Sequence, residues 1–219
     1  MPEIAGTSPA RPKVRRTPPL SWLEPAVITG ALVPIAVLFF RNEYNLLSAD
    51  PIAEILNQLG YLGLTLLVAS LACTPLKLVF GWTWPLRIRK TLGLAGFYYI
   101  LLHFLWYIGK DKSFHMGEIV GDVILHYFIL VGFVAFVLLI PLAVTSTNKM
   151  IARLGGQRWR KLHKLAYVCG ILGVIHFYMR VKIKITEPVV FGSILFLLLG
   201  IRYIYSMKKS LDIVRKFRK

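Results

Sequence analysis

The sequence predicts an all-α protein: a polytopic membrane helix bundle with six transmembrane helices and both termini in the cytoplasm. Three observations support this. Of the 219 residues, 56% are hydrophobic and only 17% are charged, which is far from the composition of an average soluble protein. Several apolar runs approach the roughly 20 residues needed to cross a bilayer core. The basic residues are concentrated in alternate connections between these runs, as expected of charges that set membrane topology.

The six predicted spans lie at 22–40, 53–74, 91–109, 121–144, 163–180 and 188–206. Pro34 and Pro141 fall within or at the ends of spans, where packed neighbours compensate for the missing N–H group. Residues 1–20 are rich in proline and arginine and lack apolar periodicity, so we expect a flexible cytoplasmic tail. The spans form a transmembrane domain at 21–207, followed by a basic cytoplasmic tail at 208–219.

The distribution of basic residues predicts the orientation. Of the 27 Lys and Arg residues, 21 fall in the two terminal segments and in the second-to-third and fourth-to-fifth connections, and only six fall on the opposite side. By the positive-inside rule, the first group faces the cytoplasm. Two basic segments, 149–162 and 207–219, are interrupted by apolar residues, and we expect both to lie along the cytoplasmic membrane surface.

The net charge of +17 does not indicate a nucleic-acid partner, because such binding requires a soluble basic face. Here the charges lie between apolar runs, so the expected environment is the lipid bilayer. The two cysteines, Cys73 and Cys169, lie inside apolar runs and are expected to act as small hydrophobic residues. There is no C-x-x-C-H motif, which excludes covalent attachment of a c-type haem.

Two predicted helices carry histidines within apolar sequence. RKTLGLAGFYYILLHFLWY, at 89–107, contains His103, and RWRKLHKLAYVCGILGVIHFYMRVK, at 158–182, contains His163 and His176. A histidine in lipid is costly unless the protein engages it. With a rise of about 1.5 Å per residue, His103 and His176 reach matching depths in the outer half of the membrane. Two facing neutral imidazoles can supply both axial positions of a haem iron, so the pattern predicts a b-type cytochrome. The alternative is two unrelated histidines that are hydrogen-bonded within the bundle.

His163 lies 13 residues before His176, which leaves it about 140° away around an ideal helix. On the third helix the residues at the corresponding depth are Arg89 and Lys90. A second haem at this depth would therefore lack a matching histidine, and either basic residue could instead pair with a haem propionate or a flavin phosphate. A surface histidine beside snorkelling basic residues explains the same pattern.

Four further residues bear on this site. Gly96 and Gly173 each share a helix face with one of the two outer histidines. Missing side chains there would admit a macrocycle edge, although glycine also lets membrane helices approach closely. His126 is expected to have a hydrogen-bonded structural role, and His115 to be solvated in an outer loop.

Four segments together resemble the MsrQ (YedZ) family: the two histidine-containing stretches above, CTPLKL at the end of the second span, and LAVTSTNKM at 142–150. The resemblance extends over residues 22–206. Members of this family are haem-binding membrane subunits of bacterial periplasmic methionine sulfoxide reductase systems, within the ferric-reductase-like transmembrane group.

The resemblance implies a multi-pass protein of the bacterial inner membrane that carries electrons through haem b. The donor would be the quinone pool or a cytoplasmic flavin reductase. The acceptor would be a periplasmic molybdopterin-dependent subunit that reduces methionine sulfoxide in damaged proteins. The family's ligands carry over to His103 and His176, with His163 available for a second haem. The ferric-reductase pattern has a fourth histidine that this sequence lacks, so the number of haems stays open. FMN is also implied, without a site.

No catalytic constellation of the soluble kind and no nucleotide-binding glycine loop occurs. We therefore expect an electron-transfer subunit whose catalytic site lies on a partner protein. Two other functions fit the residues. One is a metal-ion reductase or a quinol-oxidising b-type cytochrome that serves a different partner. The other is a small non-redox transporter with structural histidines, although the internal repeats typical of transporters are not found.

Overall fold

The computed structural model describes residues 20–181 and 185–217, and within these ranges every regular element is helical. The predicted tail at 1–20 lies outside the described residues, except for its last residue. A π-helical segment, Tyr107–Asp111, extends the third helix. The α-helices are α1 Leu23–Glu43, α2 Pro51–Phe80, α3 Pro85–Trp106, α4 Met116–Leu125, α5 Tyr127–Val144, α6 Asn148–Leu154, α7 Gly156–Leu162, α8 Leu165–Arg180 and α9 Thr186–Phe217.

Six helical stretches of the described chain are long and apolar enough to cross a membrane, which confirms the predicted all-α bundle of six spans. Large apolar side chains cover the outside of the bundle, and Phe196, for example, is 82% exposed. Such a surface is suited to lipid contact rather than to water. The stretches are Leu23–Glu43, Pro51–Phe80, Pro85–Asp111, Tyr127–Val144, Gly156–Arg180 and Thr186–Lys208.

The fourth span begins at Tyr127, not at residue 121 as the sequence predicted. The backbone of His126 is extended, with φ −112° and ψ 99°, and this breaks the helix between α4 and α5. Asp122 explains why α4 stays separate, because its carboxylate accepts a hydrogen bond from the Tyr107 hydroxyl at 2.9 Å and pairs with Lys112 at 2.7 Å. These polar contacts hold α4 beside the end of α3.

Two predicted segments on one side of the bundle are helical in the structure, and one of them extends a span beyond its predicted end. The predicted surface segment 149–162 forms α6 and α7, and α7 leads into α8 through a turn at His163 and Lys164. At the end of the chain, α9 continues past the predicted span end at 206 and runs to Phe217. The predicted basic tail is therefore helical as far as the structure describes it.

Helix α2 lies at the centre of the bundle, and its packing against α3 is the most extensive helix pair, followed by that of α5 against α8. Glycines permit the close approach of α2 and α3. A methyl group on Gly63 would lie 2.7 Å from Cγ1 of Ile100, and one on Gly96 would lie 3.1 Å from the carbonyl oxygen of Gly63. Gly96 therefore serves helix packing, which is the second of its two predicted roles.

At two prolines in the spans, side chains of other helices donate hydrogen bonds to backbone carbonyls in the preceding turn. Pro75 has no N–H group, so the carbonyl of Leu71 has no intrahelical donor. Arg202, on α9, donates to that carbonyl from Nη2 at 2.6 Å. In the turn before Pro34 of α1, the carbonyl of Ala31 accepts a hydrogen bond from the Tyr99 hydroxyl at 2.5 Å. These contacts tie α9 to α2 and α3 to α1.

Candidate functional site

A cavity of about 1050 Å³ lies between α2, α3, α5 and α8, just above the roughly 300–1,000 Å³ of typical small-molecule and cofactor pockets. Its deep part is apolar and lined by Leu64, Leu67, Leu139, Cys169 and Gly173. The other part is polar and lined by Ser48, Asp50, Asp111, Lys112, Asp122 and Arg180. We call this polar side of the bundle, with the connections at 44–50 and 112–115, the outer end, and the opposite side the inner end.

His103 of α3 and His176 of α8 face each other across this cavity. Their ring centres are 6.3 Å apart and their ring planes are nearly perpendicular, at 83°. The two histidines that the sequence paired by depth therefore do lie together. Their role as ligands stays a prediction.

The neighbouring helix α2 fixes the His103 ring. Nδ1 donates a hydrogen bond to the carbonyl oxygen of Leu56 at 2.8 Å. Gly60, four residues further along α2, lies against the ring, and a methyl group there would be 3.1 Å from Nδ1 and Cε1. Because a carbonyl oxygen can only accept, Nδ1 carries the proton, and in the neutral imidazole Nε2 therefore keeps its lone pair.

Helix α5 fixes the His176 ring in the same way. Nδ1 donates to the carbonyl oxygen of Phe128 at 2.6 Å. Gly132, again four residues after the carbonyl, lies so close that a methyl group would be 2.6 Å from Nδ1. Each histidine therefore sits over a glycine of a neighbouring helix and presents an unprotonated Nε2. Hydrogen bonds of this kind orient metal-bound histidines and increase their basicity.

The separation of the two rings suits a single metal ion between them. A bond from a metal to an imidazole nitrogen is about 2.0 Å long, so imidazoles on opposite sides of one ion have ring centres roughly 6–6.5 Å apart. The part of the chain that the structure describes contains no group of three or more His, Cys, Asp or Glu side chains able to hold a metal. A metal ion held by these two histidines would therefore need its further ligands from a bound group, as in haem.

His163 lies outside this cavity, at the end of α7 near the inner end. Its ring stacks on Trp159 with centres 4.0 Å apart. The Thr145 hydroxyl donates to the carbonyl of Pro141 at 2.6 Å, so its oxygen can accept from Nε2 of His163, which is 3.2 Å away. The structure thus gives His163 two protein partners and leaves Nδ1 without a hydrogen bond among the described residues.

Arg89 and Lys90 also lie at the inner end, on the first turns of α3. Nη1 of Arg89 is 3.3 Å from Oγ1 of Thr74, and its charge acts on the His163 imidazole. Lys90 donates to Oδ1 of Asn148 at 3.3 Å. Arg89 and His163 are therefore in the same region, as their sequence positions predicted, although no described contact joins them directly.

Comparison with known proteins identifies the family. Residues 59–174 match the family described as "Ferric reductase like transmembrane component". Proteins named "Protein-methionine-sulfoxide reductase heme-binding subunit MsrQ" are similar along most of the chain. The one from Rhodospirillum rubrum is 45% identical over 84% of this chain and 88% of its own, and that from Herminiimonas arsenicoxydans is 41% identical over 88% and 89%. The chain belongs to the MsrQ family.

A third MsrQ protein, from Deinococcus radiodurans, is 43% identical over 77% of this chain and 83% of its own length. The ferric-reductase match includes Gly60, His103, Gly132 and His163 and ends two residues before His176. The predicted family resemblance is thus confirmed. The segment that defines the wider group contains most of the site just described.

The polar outer end of this MsrQ-family site contains the other two histidines. His126 lines the cavity, and its Nδ1 is 3.5 Å from Oδ1 of Asp122. His115 is exposed, and its Nδ1 is 3.0 Å from the carbonyl of Lys112. The hydrogen bond from Lys112 holds the pKa of the Asp122 carboxyl below its usual range, so Asp122 is ionised at neutral pH.

Sequence reasoning missed three residues of the site. Gly60 and Gly132 lie against the two histidine rings, whereas the sequence pattern pointed to Gly96 and Gly173, of which only Gly173 lines the cavity. The sequence does contain a signal for Gly60 and Gly132, since each is a glycine inside an apolar span at the depth of a histidine. Arg180 also lines the cavity, and its position four residues after His176 puts it on the same helix face.

Proposed function

We propose that this chain is a haem b electron-transfer subunit that serves a methionine sulfoxide reductase. Its relatives are named as heme-binding subunits of such a reductase. One observation carries the proposal: two histidines face each other across a cavity, each with Nδ1 bonded to a backbone carbonyl and Nε2 left free. The cavity is large enough for a macrocycle, and its deep lining is apolar. The residues present therefore fit a haem, whose iron His103 and His176 would hold.

The chain's own groups prepare this site in three ways. The carbonyls of Leu56 and Phe128 select the tautomer with the proton on Nδ1 and fix both ring planes. Gly60 and Gly132 let the rings lie against the neighbouring helices, so the imidazoles cannot turn without meeting backbone. Apolar side chains keep water from the deep part of the cavity. Bound there, a haem supplies one-electron oxidation and reduction.

The direction of electron transfer follows from the proposed orientation. With both termini in the cytoplasm of a bacterium and the chain in its inner membrane, the outer end faces the periplasm. The pair His103 and His176 then lies near the periplasmic face, close to an acceptor there. We propose a periplasmic molybdopterin-dependent methionine sulfoxide reductase as that acceptor, with the quinone pool or a cytoplasmic flavin reductase as donor. The catalytic site for sulfoxide reduction lies on the partner.

His163 and Arg89 are the candidates for a second cofactor at the inner end. Nδ1 of the imidazole has no hydrogen bond among the described residues, and the guanidinium lies near enough to act on the ring electrostatically. This pair suits either a second haem, with Arg89 at a propionate, or the flavin FMN implied by the family resemblance, with Arg89 at its phosphate. Neither cofactor is needed for the outer haem site.

Electron delivery is the direct test of this function. The purified protein is placed in liposomes with a membrane-impermeable reductant inside, and its haem spectrum is followed while a purified periplasmic methionine sulfoxide reductase and its substrate are added outside. We expect rapid oxidation of the haem that depends on both partner and substrate. Vesicles carrying the His103→Ala variant provide the control. A reduced haem that the partner and substrate leave unchanged would contradict the proposed function.

A further inference from the structure

Arg180 is a half-buried cation in the cavity whose guanidinium has no polar partner among the described residues. It is the last residue of α8 and lies one turn beyond His176, on the same face. It lines the cavity, and its charge acts on the imidazoles of both His103 and His176. A cation in this position requires an anion nearby, since a partly desolvated charge without a partner is costly.

Several charged groups at the outer end are already engaged, whereas the carboxylate of Glu187, which also lines the cavity, has no partner among the described residues. Lys112, the other cation that lines the described part of the cavity, pairs with Asp122 at 2.7 Å. Glu54 pairs with Arg41 at 2.9 Å. Asp111 interacts with Arg180 electrostatically, but no hydrogen bond or ion pair joins them. Of the two cations that line the described part of the cavity, Arg180 is thus the one that remains available to an incoming anion.

The distribution of polar and apolar side chains in the cavity indicates where an anionic group would lie. A haem has an apolar macrocycle and two carboxylates on one edge. In this cavity the macrocycle fits the apolar deep part, and the carboxylates must then face the polar outer part, where Arg180 lies. A guanidinium binds a carboxylate through two parallel N–H groups in a fixed geometry.

We propose that Arg180 binds a propionate carboxylate of the haem and so fixes which way round the macrocycle enters the site. The proposal rests on the proposed haem site. It assigns Arg180 a role in cofactor binding and orientation, separate from iron ligation by the histidines. The ion pair also neutralises the cation, so the filled cavity holds no unpaired charge at this point.

Haem with and without free carboxylates provides the test. Apoprotein in detergent is titrated with haem b and with haem b dimethyl ester, whose propionates carry no charge, and the two dissociation constants are compared. We expect the wild type to prefer haem b about tenfold or more, and the Arg180→Gln variant to bind both forms about equally. Arg180→Lys should keep part of the preference, because it keeps the charge but loses the paired N–H groups. Arg41→Gln is the matched control, since Arg41 already pairs with Glu54, and its preference should equal that of the wild type.

The outcomes separate this inference from the proposed function. A wild-type protein that binds both haem forms with a low-spin, two-histidine spectrum but without preference would overturn the role of Arg180 and leave the haem site intact. An undiminished preference in Arg180→Gln would overturn it as well. A wild type that gives no two-histidine spectrum with either form would contradict the haem site itself. Should Arg180→Gln fail to fold, the comparison of Arg180→Lys with the wild type decides, and an equal preference in both would count against the proposal.

Discussion

Two glycines determine how the histidine rings are held. At Gly132 the ring of His176 occupies the space of a side chain, since an added methyl group would lie 2.6 Å from Nδ1 and 2.8 Å from Cε1. At Gly60 the corresponding distance to His103 is 3.1 Å, which small shifts can relieve. The backbone carbonyl in the preceding turn accepts the ring's N–H group in both cases. Ring position and tautomer therefore depend on the same helix face.

We expect Gly132→Ala to displace the His176 ring and to lower haem affinity about 10–100-fold, the range found when partners of metal-bound histidines are removed. Gly60→Ala should have a smaller effect in the same direction. Gly200→Ala is the control, because nothing lies within 4 Å of the added methyl group. Haem content and the low-spin absorption spectrum of each purified variant provide the measurement. Wild-type haem binding in Gly132→Ala would show that the ring does not need this space.

His163 is the residue whose substitution distinguishes the possible inner cofactors. We expect His163→Ala to leave the haem at His103 and His176 in place and to slow its reduction from the inner side roughly tenfold, as loss of a ligand or of its close partner does. Stopped-flow absorption of the protein in liposomes measures the rate. The exposed His115, replaced by alanine, serves as the control.

The result identifies what His163 does. Loss of a second haem signal would make His163 an iron ligand, while slower reduction with an unchanged haem content would favour a flavin or quinone site at the inner end. Reduction at the wild-type rate with every haem retained would contradict a redox role. His163 would then serve only the hydrogen bond to Thr145 and the stack on Trp159.

At the scale of helices, Arg202 joins α9 to the proline turn of α2. Its Nη2 satisfies the Leu71 carbonyl that Pro75 leaves without a donor, and its Nη1 donates to the Tyr167 hydroxyl of α8. Removing it leaves a buried carbonyl without a partner, so we expect Arg202→Met to lower the free energy of unfolding in detergent by about 1–3 kcal/mol.

Pro75→Ala provides a second background in which this explanation can be tested. Alanine restores an N–H group for the Leu71 carbonyl, so Arg202→Met should cost clearly less free energy of unfolding there than in the wild type. The free energies of unfolding are measured by denaturant titration. Equal costs in both backgrounds would mean that Arg202 stabilises the bundle through its other contacts rather than through its hydrogen bond to the Leu71 carbonyl.

Helix α4 is attached to α3 through Asp122, which makes its attachment sensitive to pH. The folded-state pKa of this carboxyl lies below its ordinary value because Lys112 donates a hydrogen bond to it. Ionised Asp122 therefore stabilises the attachment above the ordinary pKa of about 3.9, and this contribution is lost as pH falls through the lower folded-state value. We expect amide protection in 116–125 to be constant from neutral pH to about pH 4 and to fall below it.

Hydrogen exchange of those amides, corrected for the intrinsic pH dependence of exchange, measures the effect. Asp122→Asn should show the weaker protection already at neutral pH and little further change on acidification. Protection that responds to acid equally in the wild type and in this variant would assign the pH dependence to another group.

At the scale of the whole molecule, the bundle follows closely from the sequence because lipid allows few solutions. Each apolar run of sufficient length must become a helix, and all six did. The predicted start of the fourth span was wrong. Residues 121–125 belong to α4, and His126 forms the break before α5. A polar residue beside an apolar run gives no sign of a helix break until its partners on other helices are known.

Part of the site was also predictable from the sequence. Depth along parallel helices depends on counting residues, so the pairing of His103 with His176 could be predicted. Which glycine lies beneath which ring depends on the rotation and offset of α2 against α3 and of α5 against α8, and sequence spacing within one helix does not give these. Gly96 shares a face with His103 in principle, yet it packs on the backbone of α2.

The central claim is that His103 and His176 are the two axial ligands of one haem b. Absorption spectra of the purified protein, oxidised and then reduced, test it most directly when recorded beside those of His103→Ala and His176→Ala. We expect the wild type to show a low-spin haem with two histidine ligands, and each variant to lose that haem or most of its low-spin signal. If both variants keep the full haem content and an unchanged two-histidine spectrum, the pairing is wrong.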